Sequence, residues 1–161
     1  MGVRIVARYK VINQAGKFQD PNAYTDVIQY CTNPDKTPSG LIGGRNLDTN
    51  YAAEQMETVA DVFGKNSKTR VEHTVLSFSP NEEISLEGIV EIADSLADYY
   101  AEDYQVLYAV HENTDNPHVH MVMNRISHRD GHRYRGNKQE YYGVQTHLKK
   151  ELRKHGLHLD Y

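Results

Sequence analysis

The sequence predicts an α+β fold, a central antiparallel sheet with helices on one face. Two apolar segments, Tyr104 to Val110 and His118 to Ile126, flank an Asp115-Asn116-Pro117 turn signal and should pair antiparallel. The second of them alternates, with Val119, Met121 and Met123 on one side and His118, His120, Val122 and Asn124 on the other. Helical patterns separate the remaining strands, so helices must cover the apolar side of that sheet.

In chain order, Arg4 to Lys10 reads as a first strand. Asp20-Pro21-Asn22 breaks the chain before a helix from about Ala23 to Thr32, whose Tyr24, Val27, Ile28 and Cys31 form one stripe. Asn33-Pro34 stops it. Pro38 to Asn46 is Gly-rich and reads as a loop. A helix over Tyr51 to Phe63 follows, with Gly64 as its C-terminal cap. Arg70 to Ser79 is a strand ended by Pro80-Asn81. Ser85 caps a third helix, whose Leu86, Ile89, Val90, Ala93, Leu96, Ala97 and Tyr100 repeat at spacings of three and four. After the two central strands, Asp130-Gly131 signals a hairpin with Arg133 to Arg135 pairing back, and a polar helix covers Lys138 to Lys154.

The 161 residues fit one domain, 1–161, able to bury a core unaided. A single cysteine, Cys31, excludes an internal disulfide and suits a reducing cytoplasm. No apolar run is long enough for a signal peptide or a membrane span, so no membrane partner is expected. The net charge of −4 is unevenly spread: Arg125 to Lys154 holds nine Lys or Arg against three Asp or Glu, leaving the rest of the chain strongly acidic. Such asymmetry permits a local phosphate-binding surface on an acidic protein.

The chemistry concentrates between His111 and His120. His118 and His120 share a strand face, and His111 ends the neighbouring antiparallel strand, within reach of the same patch. Three imidazoles converging on an open face make a metal site with positions left for substrate. His73 lies inside a strand and receives no ligand role.

The run His111-x6-His118-Val119-His120, followed by Met121-Val122-Met123-Asn124-Arg125, resembles the metal motif of plasmid mobilisation relaxases, members of the HUH endonucleases. Tyr30-Cys31-Thr32-Asn33-Pro34-Asp35-Lys36-Thr37 is similar to the family's N-terminal tyrosine motif, and Gly64-Lys65 with His73-Thr74-Val75-Leu76-Ser77-Phe78-Ser79-Pro80-Asn81-Glu82 to its middle motif. The resemblance spans about residues 4 to 150. It departs at Asn113 and Thr114, where many relatives carry an acidic residue, and in the acidic overall charge. It implies a two-layer HUH-endonuclease-like fold and a nuclease that nicks one strand at a transfer origin, leaving a 5′-phosphotyrosine. It also implies a divalent cofactor, Mg²⁺ or Mn²⁺, and single-stranded DNA, accessory relaxosome proteins and transfer machinery as partners. Relaxases often continue into further domains.

Under that reading a cation held by His111, His118 and His120 neutralises charge on the phosphate, and a tyrosine attacks it. Tyr30 is the first choice: it matches the motif and lies about 110° off the centre of its helix's apolar stripe. Tyr24, inside the stripe, is second and Tyr9 third. Arg125, Arg129, Arg133, Arg135 and Lys138, interleaved with Tyr134, Tyr141 and Tyr142, form a candidate single-strand track beside the metal site. A rolling-circle initiator or transposase would instead use Tyr134, Tyr141 or Tyr142, and a non-catalytic DNA-binding relative would use none. A 2H phosphoesterase is excluded, because His73-Thr74-Val75 and His118-Val119-His120 do not supply two His-x-Thr/Ser motifs.

Overall fold

A computed structural model describes residues 6–12, 22–38, 40–65, 69–79, 84–112 and 116–160. The turn signals at Asp20-Pro21 and Pro80-Asn81, and the Asp115 of Asp115-Asn116-Pro117, lie outside them. Six strands, β1 (Val6–Ile12), β2 (Ile42–Arg45), β3 (Val71–Phe78), β4 (Val106–His111), β5 (His118–Asn124) and β6 (His158–Asp160), form one sheet in the order β2-β4-β5-β3-β1-β6. All neighbours are antiparallel except β1 and β6. Four helices accompany it: α1 (Ala23–Cys31), α2 (Ala52–Val62), α3 (Leu86–Tyr100) and α4 (Lys138–Arg153). Among the described residues no helix is long and apolar enough to cross a membrane.

The α+β class and the antiparallel sheet agree with the sequence reading; the placement of the helices differs. Helices α3 and α4 pack on the face that carries Val119, Met121 and Met123. Helices α1 and α2 pack on the other face, over Leu107, Ala109 and Val122. The expectation of one covered face misses this because β5 looks polar on the histidine side. The neighbouring β4, buried on both faces, adds apolar area there that needs its own cover. Only the end of this face that bears the histidines is left to polar work.

Local chemistry explains the element ends. The Ser85 hydroxyl accepts from the Gly88 amide at 3.1 Å, capping α3. Asn137 and Glu140 bond each other's backbone amides in a capping box at the start of α4. Gly64 closes α2 in a left-handed conformation, φ 63°.

Strand β2 falls inside the segment expected to be a loop. It pairs with β4, with Gly43 opposite Tyr108, whose ring occupies the space a Cβ would take. Here glycine marks a close approach within a strand instead of a turn. Strand β6 is short and polar, has no periodicity, and is held by pairing with β1. The expected return strand at Arg133 to Arg135 reduces to a single bridge, Ile126 to Arg133.

A candidate metal centre beside an exposed tyrosine

The register of β4 and β5 sets His111 opposite His118, and β3 brings Val75 opposite His120. One ligand atom from each of His111, His118 and His120 lies within 4.8 Å of the other two. The ring centroids of His111 and His120 are 4.0 Å apart, and each is 5.0 Å from His118.

The remaining ring nitrogens are engaged, and bonds to carbonyls fix the tautomers of His111 and His118. His111 Nε2 donates to the Cys31 carbonyl at 2.7 Å, leaving Nδ1 with a lone pair. His118 Nδ1 donates to the Asn116 carbonyl at 2.9 Å, leaving Nε2. His120 Nδ1 meets His73 Nε2 at 2.8 Å. With His120 as donor, its Nε2 is also a free lone pair, and all three rings offer one unprotonated nitrogen. Hydrogen bonds of this kind orient metal-ligating histidines. Burial first, then neighbouring imidazoles, pushes His120 down to about 2 and His73 down to about 4. His111 is lowered too, again mainly by burial. These rings therefore stay neutral near pH 7, the state a cation requires.

A second grouping shares His120: Cys31, His73 and His120 also approach within 4.8 Å, all three buried. Burial pushes the Cys31 thiol up to about 12, so it stays protonated. Its Sγ lies 3.6 Å from His73 Nε2. This grouping is an enclosed hydrogen-bonded support, whereas His118 is half-exposed and opens the first one to solvent.

Helix α1 runs over this face and sets the tyrosines. Tyr24 is buried, and its hydroxyl donates to Asn124 Oδ1 at 2.8 Å. Asn124 Nδ2 in turn donates to the Met56 carbonyl and to Gln105 Oε1. Six residues later Tyr30 is 51% exposed, its ring centroid 5.7 Å from His120 and 6.5 Å from His111, edge-on to both. The His111 bond to Cys31 ties the end of α1 to β4 and so holds Tyr30 beside the imidazoles. Lys36 Nζ stands 4.5 Å from the Tyr30 ring centroid. Tyr9 belongs to the opposite face, its hydroxyl 3.3 Å from that of Tyr100. Tyr134 and Tyr141 pack into that same far core, and Tyr142 is exposed on α4.

The basic segment does not come to the histidines, contrary to the expected track beside the metal site. Arg125 pairs with Glu72 at 2.9 Å, and Arg129 lies 3.4 Å from both Glu102 and Asp103. Arg133 donates to the Thr69 and Lys65 carbonyls. Arg135 borders a cavity on the α4 side, and Lys138 opens α4. Strand β5 starts at His118 and runs away from the site, so whatever follows Asn124 emerges at the far end of the sheet, about 13 Å beyond His120. Adjacency in sequence is not adjacency in space along an extended strand.

Two residues enter the site that the sequence reading passed over. His73 is opposite Val122, two positions along β5 from His120, and shares its face; strand parity was the available signal. Lys36 follows the end of α1, where no periodicity points anywhere.

Comparison with known proteins matches residues 30–157 to the family described as "Relaxase: MobA/VirD2-like, nuclease domain". A protein rlx of Staphylococcus aureus is 27% identical over 124 residues, covering 77% of this chain and 37% of that protein. A second S. aureus rlx is 26% identical over 141 residues, 88% of this chain and 43% of that protein. MobA of Acidithiobacillus ferrooxidans is 36% identical over 61 residues, 37% of this chain and 15% of that protein. The chain thus spans less than half the length of these relatives. A solved structure titled "Molecular Basis of Vancomycin Resistance Transfer in Staphylococcus aureus" superposes with a TM-score of 0.51 at 19% identity, covering 74% of this chain and 73% of that one, and shares the fold.

Proposed function

Because this chain belongs to the MobA/VirD2-like relaxase nuclease-domain family, we propose that it nicks one DNA strand at a transfer origin by tyrosine transesterification, in plasmid mobilisation or conjugative transfer. The observation that supports this reading is the exposed Tyr30 beside His111 and His120, on the one face where three imidazoles offer free lone pairs.

His111 Nδ1, His118 Nε2 and His120 Nε2 are the nitrogens that would hold a divalent ion, Mg²⁺ or Mn²⁺. Three imidazoles whose outer nitrogens are already hydrogen-bonded fit such a group. When bound, it would supply Lewis-acid neutralisation of the scissile phosphate's oxygens. The chain's own residues do the rest. Tyr30 Oη forms a bond to phosphorus, and the bond from phosphorus to the 3′ oxygen breaks. The phenolic proton leaves to solvent and the 3′ oxygen takes one up, so the products are a 5′-phosphotyrosine and a free 3′-hydroxyl. The ammonium of Lys36 near the Tyr30 ring is placed to attract the substrate's phosphate. His73 is a positioning residue that holds His120 by its Nδ1. Tyr24 anchors α1 and stays out of the chemistry.

The substrate under this reading is single-stranded DNA at the transfer origin, with accessory relaxosome proteins and transfer machinery as partners in the cytoplasm. The test is nicking of a supercoiled plasmid carrying the DNA that flanks the gene, with and without Mn²⁺, followed by protease digestion. The expected result is an open circle only with the ion, with protein released from the DNA by protease. A plasmid left supercoiled at every site and ion offered would contradict the proposal.

A further inference from the structure

On the sheet face opposite the histidines, β3 presents Glu72 across from Met123, near the start of α4. A cavity of about 320 Å³ opens there, bordered by Tyr9, Tyr134, Tyr141, Glu72, Arg125 and Arg135. That volume suits one nucleotide-sized ligand and no more. We propose that this cavity is a binding pocket for a guanine base.

Its polar floor is an ion pair. Glu72 is 6% exposed, and its Oε2 accepts from Arg125 Nη2 at 2.9 Å. A carboxylate has more acceptor sites than this one bond uses. Arg125 Nε is buried and makes no hydrogen bond among the described residues. The rest of the Arg125 guanidinium, whose side chain is 21% exposed, keeps N–H donors for an acceptor in the cavity. The site therefore asks for a flat ligand with donors for the carboxylate and an acceptor beside them for the guanidinium. Guanine carries two adjacent N–H donors, at N1 and N2, next to the O6 acceptor. Adenine, cytosine and thymine lack that sequence of groups on one edge.

The walls suit a ring. Tyr9 and Tyr141 lie with centroids 6.3 Å apart at an interplanar angle of 31°, and Tyr134 packs edge-on against Tyr100. Base stacking on such tyrosines adds affinity without reading sequence. Arg135 at the border offers a charge for a phosphate. Gly136, at φ 68°, keeps the floor approachable: a Cβ there would stand 3.4 Å from Glu72 Oε2 and 3.5 Å from Arg125 Nη2. The pocket sits at the end of the sheet to which β5 runs from the metal centre, so its guanine can belong to the bound strand or to a free nucleotide. Only the first source rests on the nicking proposal.

The experiment is binding without added metal, so cleavage does not enter. Fluorescence anisotropy compares an oligothymidylate 11-mer, the same strand with one central guanine, and the same strand with one central adenine, on wild type and Glu72→Gln. NMR follows the Arg125 Nε–H signal of the wild type as dGMP, and separately the guanine strand, is added. The expected result is about tenfold tighter binding of the guanine strand, a preference abolished in Glu72→Gln, and a shifted Arg125 signal. A shift with dGMP marks a free nucleotide as sufficient; a shift with the strand alone marks the strand as the source. Equal binding of all three strands by the wild type, or an Arg125 signal unmoved by either ligand, overturns the proposal. If Glu72→Gln fails to fold, the wild-type measurements decide. Nicking without a guanine preference overturns this pocket alone; a guanine preference without nicking overturns the nicking proposal alone.

Discussion

His73 Nε2 and His120 Nδ1 lie 2.8 Å apart, a contact between two rings from adjacent strands. It turns His120 Nε2 outward, and with His73 as the acceptor that outward nitrogen keeps its lone pair. Replacing His73 with Ala should lower Mn²⁺ affinity about 10- to 100-fold, the usual cost of losing such a partner. His73→Gln, which keeps an acceptor, should recover part of it. Isothermal titration of both variants checks this, and His73→Ala binding like wild type would remove the positioning role.

The same burial predicts a pH dependence of folding. His73 has its folded-state pKa lowered from 6.5 to about 4, so the unfolded chain binds more protons between those values. Stability without metal should therefore fall as pH drops below about 6.5, with a slope near 1.4 kcal/mol per pH unit for this one group. His73→Gln should flatten that part of the curve. Urea melts from pH 7 to pH 4 measure it, and an unchanged slope in the variant would count against a neutral His73.

The tautomers are separately observable. Nitrogen-15 NMR at pH 7 should show His111 protonated at Nε2 and His118 at Nδ1, as their bonds to the Cys31 and Asn116 carbonyls require. The reverse assignment at either ring would point its lone pair away from the shared centre.

These supports show what the sequence could and could not reveal. The period-two alternation of β5 and the short connection from β4 suffice to bring His111, His118 and His120 together, because adjacent antiparallel strands leave little freedom of register. The stripe of α1 likewise separates Tyr24 from Tyr30. For His73 strand parity gives a face and no partner, because its strand is far in sequence and the β3–β5 register is set by packing. The basic residues after Asn124 misled for the opposite reason: nearness in sequence along a strand means distance in space. Strands β2 and β6 lack periodicity and exist through the neighbours they pair with.

Lys36 should hold the substrate beside the nucleophile. Its ammonium stands 4.5 Å from the Tyr30 ring centroid, so Lys36→Gln is expected to weaken single-strand binding about tenfold, the loss of about one charge-assisted phosphate contact. Anisotropy titrations of the variant check this, and unchanged affinity would remove Lys36 from the site.

Tyr24 and Tyr30 should separate cleanly. Tyr24→Phe leaves Asn124 Oδ1 its bond from the Ile126 amide, so it should cost about 1 kcal/mol of stability and leave nicking intact. Loss of nicking in a folded Tyr24→Phe protein would move the chemistry one and a half turns or more up the helix.

Mass spectrometry of the protease-treated covalent complex shows directly whether Tyr30 carries the DNA. The expected result is a nucleotide adduct on the peptide containing Tyr30, a free 3′-hydroxyl at the nick, and no adduct from a Tyr30→Phe protein that still binds Mn²⁺ as wild type does. An adduct that persists in Tyr30→Phe, or one found on Tyr134, Tyr141 or Tyr142, would contradict it.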